Sequence, residues 1–212
     1  ITYIKVKNSN NALGIVASHF YNNPSERIKL VGVTGTNGKT TIVSLLHQLF
    51  TLLNVNAGML STIQNKIDSK IIPSTHTTPD AIQINLLLNK MTDAGCEYCF
   101  MEVSSHAIAQ GRINGLTYSG GVFTNITQDH LDYHNTFAEY LDVKKSFFDS
   151  LSKNAFALTN KDDKNGNKMF EGTKANKLSY SLKSLSDYKC RVLENQFEGM
   201  LLQINKVDVW VK

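Results

Sequence analysis

The segment GVTGTNGKTT has the residue types of a phosphate-binding turn between a strand and a helix. Gly35 and Gly38 permit the backbone angles that bring N–H groups close to an anion at a helix N-terminus. Lys39 supplies a cation for the β- and γ-phosphates, and the Thr40 hydroxyl is a ligand for Mg²⁺. The pattern G-x-x-x-x-G-K-[ST] fails only at its first glycine, where Val33 stands. The segment therefore predicts nucleotide phosphate binding, against an ordinary Gly-rich connection as the alternative.

An acidic residue and a histidine-rich run are candidates for metal binding. Glu102 ends the apolar run YCFMEV, a usual place for an acid that positions Mg²⁺ beside a phosphate turn. A carboxylate that simply reaches solvent is the alternative. The run DHLDYH (129–134) holds two imidazoles and two carboxylates, which often serve metals or phosphates. A polar surface loop fits its spacing equally well.

The helix predicted from Thr136 to about Leu151 carries a lysine on its apolar face. Its inward positions are Phe137, Tyr140, Leu141, Lys144, Phe148 and Leu151. Lys145 lies on the solvated face instead. Because a buried ammonium is costly unless paired or chemically altered, Lys144 is predicted to serve an active site. The alternative is that its side chain snorkels outward.

Two other motifs do not indicate a second catalytic or metal-binding site. The run EVSSH places serine beside histidine, but neighbours at a strand end point to opposite faces and no orienting acid is evident. Cys96 and Cys99 form a C-x-x-C pair where a loop enters an apolar strand, so we interpret both as small buried hydrophobes. Three cysteines argue against a disulfide framework and favour a reducing cytoplasm.

The composition of the 212 residues is that of an ordinary globular protein with a mild net charge of +4. The 22 Lys and Arg residues are scattered, so no nucleic-acid tail or polybasic membrane patch is predicted. No stretch approaches the roughly 18 apolar residues that span a bilayer. The N-terminus lacks a signal-peptide layout and a starting Met, so we expect part of a longer cytoplasmic protein.

Strand and helix patterns alternate along most of the chain, which predicts an α/β fold with a P-loop-containing, mostly parallel sheet flanked by helices. Strands are predicted at 1–7, 28–34, 55–60, 98–103, 118–125 and 155–160, and residues 61–80 as a long polar loop. Helices are predicted from Ser9 as cap, with the apolar face Leu13, Val16, Ala17 and Phe20, from Lys39, from Thr78 as cap, and from Thr136 as cap. From Lys177 onward, short alternating runs predict an antiparallel meander at the C-terminal end.

Four motifs together resemble the Mur ligases: GVTGTNGKTT, HTTPD, MEVSSHAIAQGR and TNITQDHLDYHNTFAEYLDVKKSFF, in this order. Their sequences are most similar to the MurE type, which adds the third residue of the peptidoglycan stem peptide. The resemblance implies that residues 24–212 are the central ATP-binding domain. It also implies that residues 1–23 are the last strand and helix of a UDP-binding N-terminal domain.

The resemblance implies a role for each matching residue. ATP-binding residues are Gly35, Thr36, Asn37, Gly38, Lys39, Thr40 and Thr41. Thr40 and Glu102 hold one Mg²⁺, and His130 and Lys144 hold a second, with Lys144 carbamylated by CO₂ to N6-carboxylysine. Lys39, Glu102, His130 and Lys144 are the catalytic set. Residues that bind the UDP-muramoyl-dipeptide are Thr77, Thr78, Ser104, Gln110 and Arg112.

The chemistry implied by the resemblance has two steps. A substrate carboxylate attacks the γ-phosphate of ATP to give an acyl phosphate, and an amine then displaces phosphate to form an amide. The substrates are UDP-MurNAc-L-Ala-D-Glu and a diamino acid, either diaminopimelate or lysine, and the enzyme is expected to be monomeric. The chain stops at VDVWVK, before the adenine-contacting segment and the C-terminal domain of the family. We therefore expect these residues alone not to ligate.

Three other functions compete with this one. Another Mur-like ligase, such as a folylpolyglutamate synthase, shares GTNGKTT, although MEVSSHAIAQGR argues against it. A small-molecule kinase with a P-loop would stop at phosphoryl transfer and would need neither a carbamate nor an amine site. A non-catalytic nucleotide-binding module is the third alternative. The full set of Lys39, Thr40, Glu102, His130 and Lys144 argues against such a module.

Overall fold

A computed structural model describes residues 3–130 and 133–211 of the chain. Its strands form one sheet in the order β11-β10-β9-β8-β7-β6-β1-β5-β2-β3-β4. The strands are β1 (Lys29–Thr34), β2 (Ala57–Leu60), β3 (Gln64–Ile67), β4 (Lys70–Pro73), β5 (Tyr98–Glu102), β6 (Gly120–Phe123), β7 (Phe156–Asn160), β8 (Asn176–Ser181), β9 (Tyr188–Gln196), β10 (Gly199–Ile204) and β11 (Val207–Val211). The helices are α1 (Ser9–Phe20), α2 (Lys39–Leu52), α3 (Ala81–Asp93), α4 (Ser105–Ala109) and α5 (Phe137–Asp149), with short 3₁₀ turns at Pro24–Glu26 and Gly166–Phe170.

The centre of the sheet is parallel, as the sequence predicts. β1 lies between β5 and β6 and pairs in parallel with both, and the parallel pairing continues through β2, β7, β8 and the start of β9. Antiparallel pairs lie at the two ends, β2-β3-β4 at one and β9-β10-β11 at the other. Because parallel strands present their carboxyl ends at the same edge, the residues after β1, β5 and β6 meet there.

Two apolar clusters lie on the two faces of the sheet. Leu30 belongs to the larger cluster, whereas Val31 and Val33 belong to the smaller one, as the alternation of a pleated strand requires. The larger cluster includes side chains of α3 and α5, and the smaller one includes Val43 of α2. The helices therefore cover both faces, and β1 is buried between them.

The predicted apolar face of α1 is wrong. Leu13, Val16 and Phe20 are exposed, Phe20 by 77%, whereas Ala17 is buried. The close packing of α1 uses small residues instead, since a Cβ on Gly14 would approach the Asn114 carbonyl oxygen to 2.5 Å. The helix cap is also one residue earlier than predicted, because the Asn8 side chain accepts a hydrogen bond from Asn11 N at 3.0 Å. Of the strand predicted over 1–7, residues 3–7 form none and the rest lie outside the described residues.

The predicted polar loop 61–80 contains a β-hairpin. β3 and β4 pair antiparallel around a tight turn in which Asp68 has a φ of +51°. The cap of α3 is Asp80, which accepts from Gln83 N at 2.9 Å. The predicted cap, Thr78, instead donates its hydroxyl to the Glu102 carbonyl oxygen. The short helix α4 was not predicted.

The C-terminal meander begins later than predicted. β8 pairs in parallel with β7, since the crossover that contains the second 3₁₀ turn returns the chain to the same end of the sheet. The antiparallel meander is confirmed for β9, β10 and β11. Thr136 caps α5 as predicted, accepting from Glu139 N at 3.1 Å. Within the described residues, no helix is long and apolar enough to cross a membrane.

Candidate active site

The turn between β1 and α2 is held by residues that follow β6. Thr36 N donates to the Asn125 carbonyl at 2.8 Å, and Asn37 N donates to the Asn125 side-chain oxygen at 3.0 Å. The Thr124 hydroxyl donates to the Asn37 carbonyl at 2.7 Å. Gly35 has a φ of +149°, and a Cβ there would collide with the Thr124 hydroxyl. The glycine is therefore required by close packing against the β6 end.

Lys39 lies at the first turn of α2 and folds back over the loop. Its ammonium donates to the carbonyl oxygens of Gly35 and Thr36, each at 2.9 Å. Burial lowers the pKa of Lys39, and the charges of Glu102 and Asp129 oppose that change. Thr40 follows with its hydroxyl toward β5, and Thr41 is exposed. The turn thus presents a cation and helix N–H groups at one place, as a phosphate requires.

Glu102 is buried at the end of β5, with 1% of its surface exposed. Its Oε1 accepts from the Thr40 hydroxyl at 2.8 Å and from Thr62 N at 2.8 Å. Its Oε2 accepts from the Thr62 hydroxyl at 3.2 Å. All three donors are neutral groups. A buried carboxylate beside a hydroxyl oxygen is the kind of hard oxygen set that fits Mg²⁺.

The predicted substrate-binding residues lie around the same acid. The Thr78 hydroxyl donates to the Glu102 carbonyl oxygen at 2.7 Å and accepts from Ser104 N at 3.0 Å. Thr77 lies next to it, with its hydroxyl oxygen 3.1 Å from that of Thr62. The HTTPD segment is therefore fixed to the main chain of Glu102.

The two remaining substrate residues, Gln110 and Arg112, follow α4. The Arg112 guanidinium donates to the Thr78 carbonyl at 2.9 Å and, from Nε, to the Gln110 side-chain oxygen at 2.8 Å. A cavity of about 200 Å³ lies beside them and reaches α1 at Asn10 and Leu13. The structure thus links Thr78, Ser104, Gln110 and Arg112 by hydrogen bonds, with Thr77 beside Thr78 in the chain.

Lys144 is buried on α5, with 1% of its surface exposed, so the outward-snorkelling alternative is wrong. Its ammonium donates to the Gly35 carbonyl at 3.0 Å and lies 4.7 Å above the centre of the Tyr140 ring. Burial and, to a smaller extent, the nearby Lys39 charge lower the pKa of Lys144 to about 7, and the Asp129 charge opposes this change. Lys145 lies on the outer face, as predicted, where it pairs with Asp149 at 2.8 Å.

His130 is not gathered with Lys144 into a closed site. It is exposed, adopts a φ of +53°, and its Nε2 lies 3.5 Å from an Asp129 carboxylate oxygen. Its ring centre lies 6.1 Å from that of Tyr140, whose ring also faces Lys144. Asp132 of the DHLDYH run lies outside the described residues. Among residues 3–130 and 133–211, no three His, Cys, Asp or Glu side chains form a group able to hold a metal.

The C-x-x-C pair lies away from this edge. Cys96 and Cys99 are free and buried, and burial raises the pKa of both thiols. Among the residues that sequence reasoning missed, Thr62 and Asn125 contact the site most directly. Thr62 lies outside the motifs quoted above, and Asn125 lies in the fourth of them without a predicted role, because their contacts cross 40 and 88 residues of chain.

The strand-turn-helix with a buried acid on the neighbouring strand defines a nucleotide-binding α/β protein. Residues 33–210 match the Mur ligase middle domain. The chain therefore belongs to the Mur ligase family.

The relatives agree with this assignment. The chain is 57% identical over its whole length to the UDP-N-acetylmuramoyl-L-alanyl-D-glutamate--2,6-diaminopimelate ligase of Phocaeicola vulgatus, and 56% identical to that of Bacteroides fragilis. It spans 44% of the length of each.

The solved structures show the same fold. A structure of a UDP-N-acetylmuramoyl-L-alanyl-D-glutamate--2,6-diaminopimelate ligase superposes with a TM-score of 0.79 at 27% identity, over 95% of this chain and 43% of that one. FolC of E. coli, in complex with DHPP and ADP, has a TM-score of 0.66 at 13% identity, over 98% of this chain and 53% of that one. The second likeness concerns the fold alone.

Proposed function

We propose that this chain is the ATP-binding part of a ligase that joins a diamino acid to UDP-MurNAc-L-Ala-D-Glu through an acyl phosphate. The observation that carries the proposal is the position of Glu102. Its carboxylate accepts from Thr40 of the phosphate turn, while its main-chain oxygen accepts from Thr78 of the HTTPD segment. One residue thus joins the predicted phosphate site to the predicted acceptor site, as direct transfer between two substrates requires.

Residues of the turn bind the ATP phosphates in this proposal. Gly35 to Thr41 form the turn that leads into the N-terminus of α2, and Asn125 fixes the turn by accepting from the N–H groups of Thr36 and Asn37. Lys39 exchanges its two carbonyl partners for phosphate oxygens, which are stronger acceptors because they are charged. Its charge then offsets the charge that develops on the transferred phosphoryl group.

Thr40 and Glu102 would hold the first Mg²⁺, and His130 and Lys144 a second. When bound, the ions polarise phosphoryl oxygens and offset their charge. Lys144 fits this role only as a carbamate, since an ammonium is no metal ligand. With its pKa lowered to about 7, a substantial fraction of its amine is neutral near pH 7. The amine nitrogen attacks the carbon of CO₂ and loses a proton, which leaves an anionic N6-carboxylysine.

The acceptor substrate would lie on the other side of Glu102. Thr77, Thr78, Ser104, Gln110 and Arg112 are the proposed binding residues. Gln110 accepts from Nε and Nη2 of Arg112, and the Thr78 carbonyl accepts from Nη1, so the guanidinium is held beside Thr78. Its charge suits a carboxylate or phosphate, which would replace these neutral acceptors. The relatives are named for diaminopimelate, which supports this diamino acid over lysine. The free thiols support the expected cytoplasmic location; the monomeric state stays a prediction.

The test is turnover by a full-length protein that carries this sequence. We expect ADP and amide product only when ATP, Mg²⁺, UDP-MurNAc-L-Ala-D-Glu and diaminopimelate are all present. Glu102→Gln should lower kcat by at least about 100-fold, since it removes the ionised carboxylate at the reacting phosphate. Stoichiometric ADP release and a stable phosphorylated product without amine would indicate a kinase, and turnover with a folate acceptor a folylpolyglutamate synthase.

A further inference from the structure

Thr62 links the acid of the phosphate site to the acceptor-binding segment. It lies in the connection between β2 and β3, and its main-chain N–H donates to Glu102 Oε1 at 2.8 Å. Its hydroxyl oxygen lies 3.2 Å from Glu102 Oε2 and 3.1 Å from the Thr77 hydroxyl oxygen. Thr62 thus contacts both carboxylate oxygens and the first threonine of HTTPD.

The Thr62 hydroxyl has two acceptors but only one proton. When the proton goes to Glu102, the Thr77 hydroxyl can donate its own proton to Thr62. When the proton goes to Thr77, the Thr77 proton is released for another acceptor. The two arrangements differ only by rotation of hydroxyl groups, so they exchange without movement of the backbone.

A divalent cation on Glu102 would compete for the same carboxylate lone pairs that accept from Thr62. Cation binding therefore favours the arrangement in which Thr62 donates to Thr77. In that arrangement Thr77 points a free O–H at the acceptor side, where an anionic substrate can accept it. The Thr62 main-chain N–H still fixes Glu102 in both arrangements.

We propose that Thr62 is a positioning residue that couples occupation of the Glu102 metal site to binding of the anionic acceptor substrate through Thr77. This inference rests on the function proposed above and adds an energetic link between its two binding sites. By linkage, the metal-bound nucleotide strengthens acceptor binding, and the acceptor strengthens binding of the metal-bound nucleotide by the same factor. This coupling favours one order of substrate binding, and it requires no large conformational change.

The experiment measures binding rather than turnover, with the full-length protein. Calorimetry gives the Kd of UDP-MurNAc-L-Ala-D-Glu with and without Mg²⁺ and a non-hydrolysable ATP analogue. The ratio of the two Kd values is the coupling factor. We expect Thr62→Val to reduce this factor by about 2- to 10-fold, the value of one hydrogen bond, and Thr62→Ser to retain it.

Thr51→Val is the matched control. Thr51 is also exposed, and its hydroxyl donates to the His47 carbonyl on α2, away from Glu102. We expect its coupling factor to equal that of the wild type. We also expect Thr62→Val to fold, with a modestly lower unfolding midpoint, because buried Glu102 Oε2 loses the hydroxyl donor while the Thr62 main-chain N–H still holds Oε1. At saturating Mg²⁺ and ATP, Thr62→Val should raise KM for the acceptor more than it lowers kcat.

The outcomes separate the two proposals. Ligation by the wild type with an unchanged coupling factor in Thr62→Val overturns the role of Thr62 and leaves the ligase assignment intact. Failure of the wild type to ligate overturns the ligase assignment and this inference with it. A coupling factor that is reduced in Thr62→Val but equals the wild-type value in Thr62→Ser supports both proposals.

Discussion

Lys39 and Lys144 donate to the same main-chain oxygen, the carbonyl of Gly35, at 2.9 and 3.0 Å. Two ammonium groups that share one acceptor repel each other, and among the residues that the structure describes, neither has a carboxylate as its direct hydrogen-bond partner. The repulsion adds to burial in lowering the pKa of Lys144 to about 7. An anionic group bound between the two amines would relieve this repulsion.

The first prediction concerns the chemical state of Lys144. With ¹³C-labelled bicarbonate at pH 7.5, the wild-type full-length protein should give a carbamate signal in ¹³C NMR. The signal should be absent from Lys144→Met, since that side chain has no amine, and present in Lys145→Met, whose lost amine is on the outer face. A plain amine at position 144 under saturating CO₂, with activity intact, would falsify the carbamate assignment.

Lys39→Met should raise the pKa of Lys144, because it removes the nearby positive charge. A higher pKa leaves less neutral amine at pH 7, so the carbamate signal should require a higher pH to reach the same intensity. Titration of the signal between pH 6 and 9 measures the change. Lys145→Met serves as control and should titrate like the wild type; equal midpoints in all three proteins would contradict the prediction.

Protonation of Lys144 should make folding depend on pH. Its pKa is about 7 in the folded chain and near the ordinary 10.5 when unfolded, so the unfolded state binds more protons between these values. Stability from this group therefore rises with pH from about 7 to 10.5. In CO₂-free buffer, Lys144→Met should raise the free energy of unfolding at pH 6 and lose most of that advantage by pH 10.

Urea unfolding at several pH values gives this comparison. Lys145→Met is again the control, and its difference from the wild type should stay nearly constant with pH. An advantage of Lys144→Met that grows with pH would have the opposite sign and would contradict the burial argument.

Gly35→Ala and Gly38→Ala should differ in cost although both glycines have a positive φ. A Cβ at Gly35 collides with the Thr124 hydroxyl, whereas a Cβ at Gly38 meets nothing within 4 Å. We expect Gly38→Ala to cost about 1 kcal/mol from backbone strain and Gly35→Ala to cost about 3 kcal/mol or more. Urea unfolding of both variants measures the difference, and equal costs would show that the contact with Thr124 is relieved easily.

Sequence reasoning succeeded where a pattern is local. The helix periodicity that placed Lys144 inward needs only the residues of α5, and the cap at Thr136 lies three residues from its partner. The apolar face predicted for α1 failed because the helix packs through Gly14 and Ala17, and periodicity cannot say which face finds a partner. The parallel pairing of β8 depends on a crossover, which strand patterns do not encode.

Sequence motifs predicted which residues belong to the site, but not which of them contact one another. Gly35, Lys39, Thr40 and Glu102 stand in recognisable motifs, and the structure joins them. Thr62 has no motif of its own, and its position depends on the register of β2 beside β5. Such a contact follows only from the folded sheet.

The backbone and the side chain of Glu102 contact different parts of the site. Its carbonyl oxygen anchors Thr78, and its carboxylate faces Thr40 and Thr62. In the proposed ligase, a side-chain change such as Glu102→Gln would leave the carbonyl in place, so the acceptor segment would stay anchored while phosphoryl transfer is slowed. Such a variant separates anchoring of the acceptor from transfer, which makes it the natural starting point for crystals with the acceptor alone and for screens of ligands that compete with it.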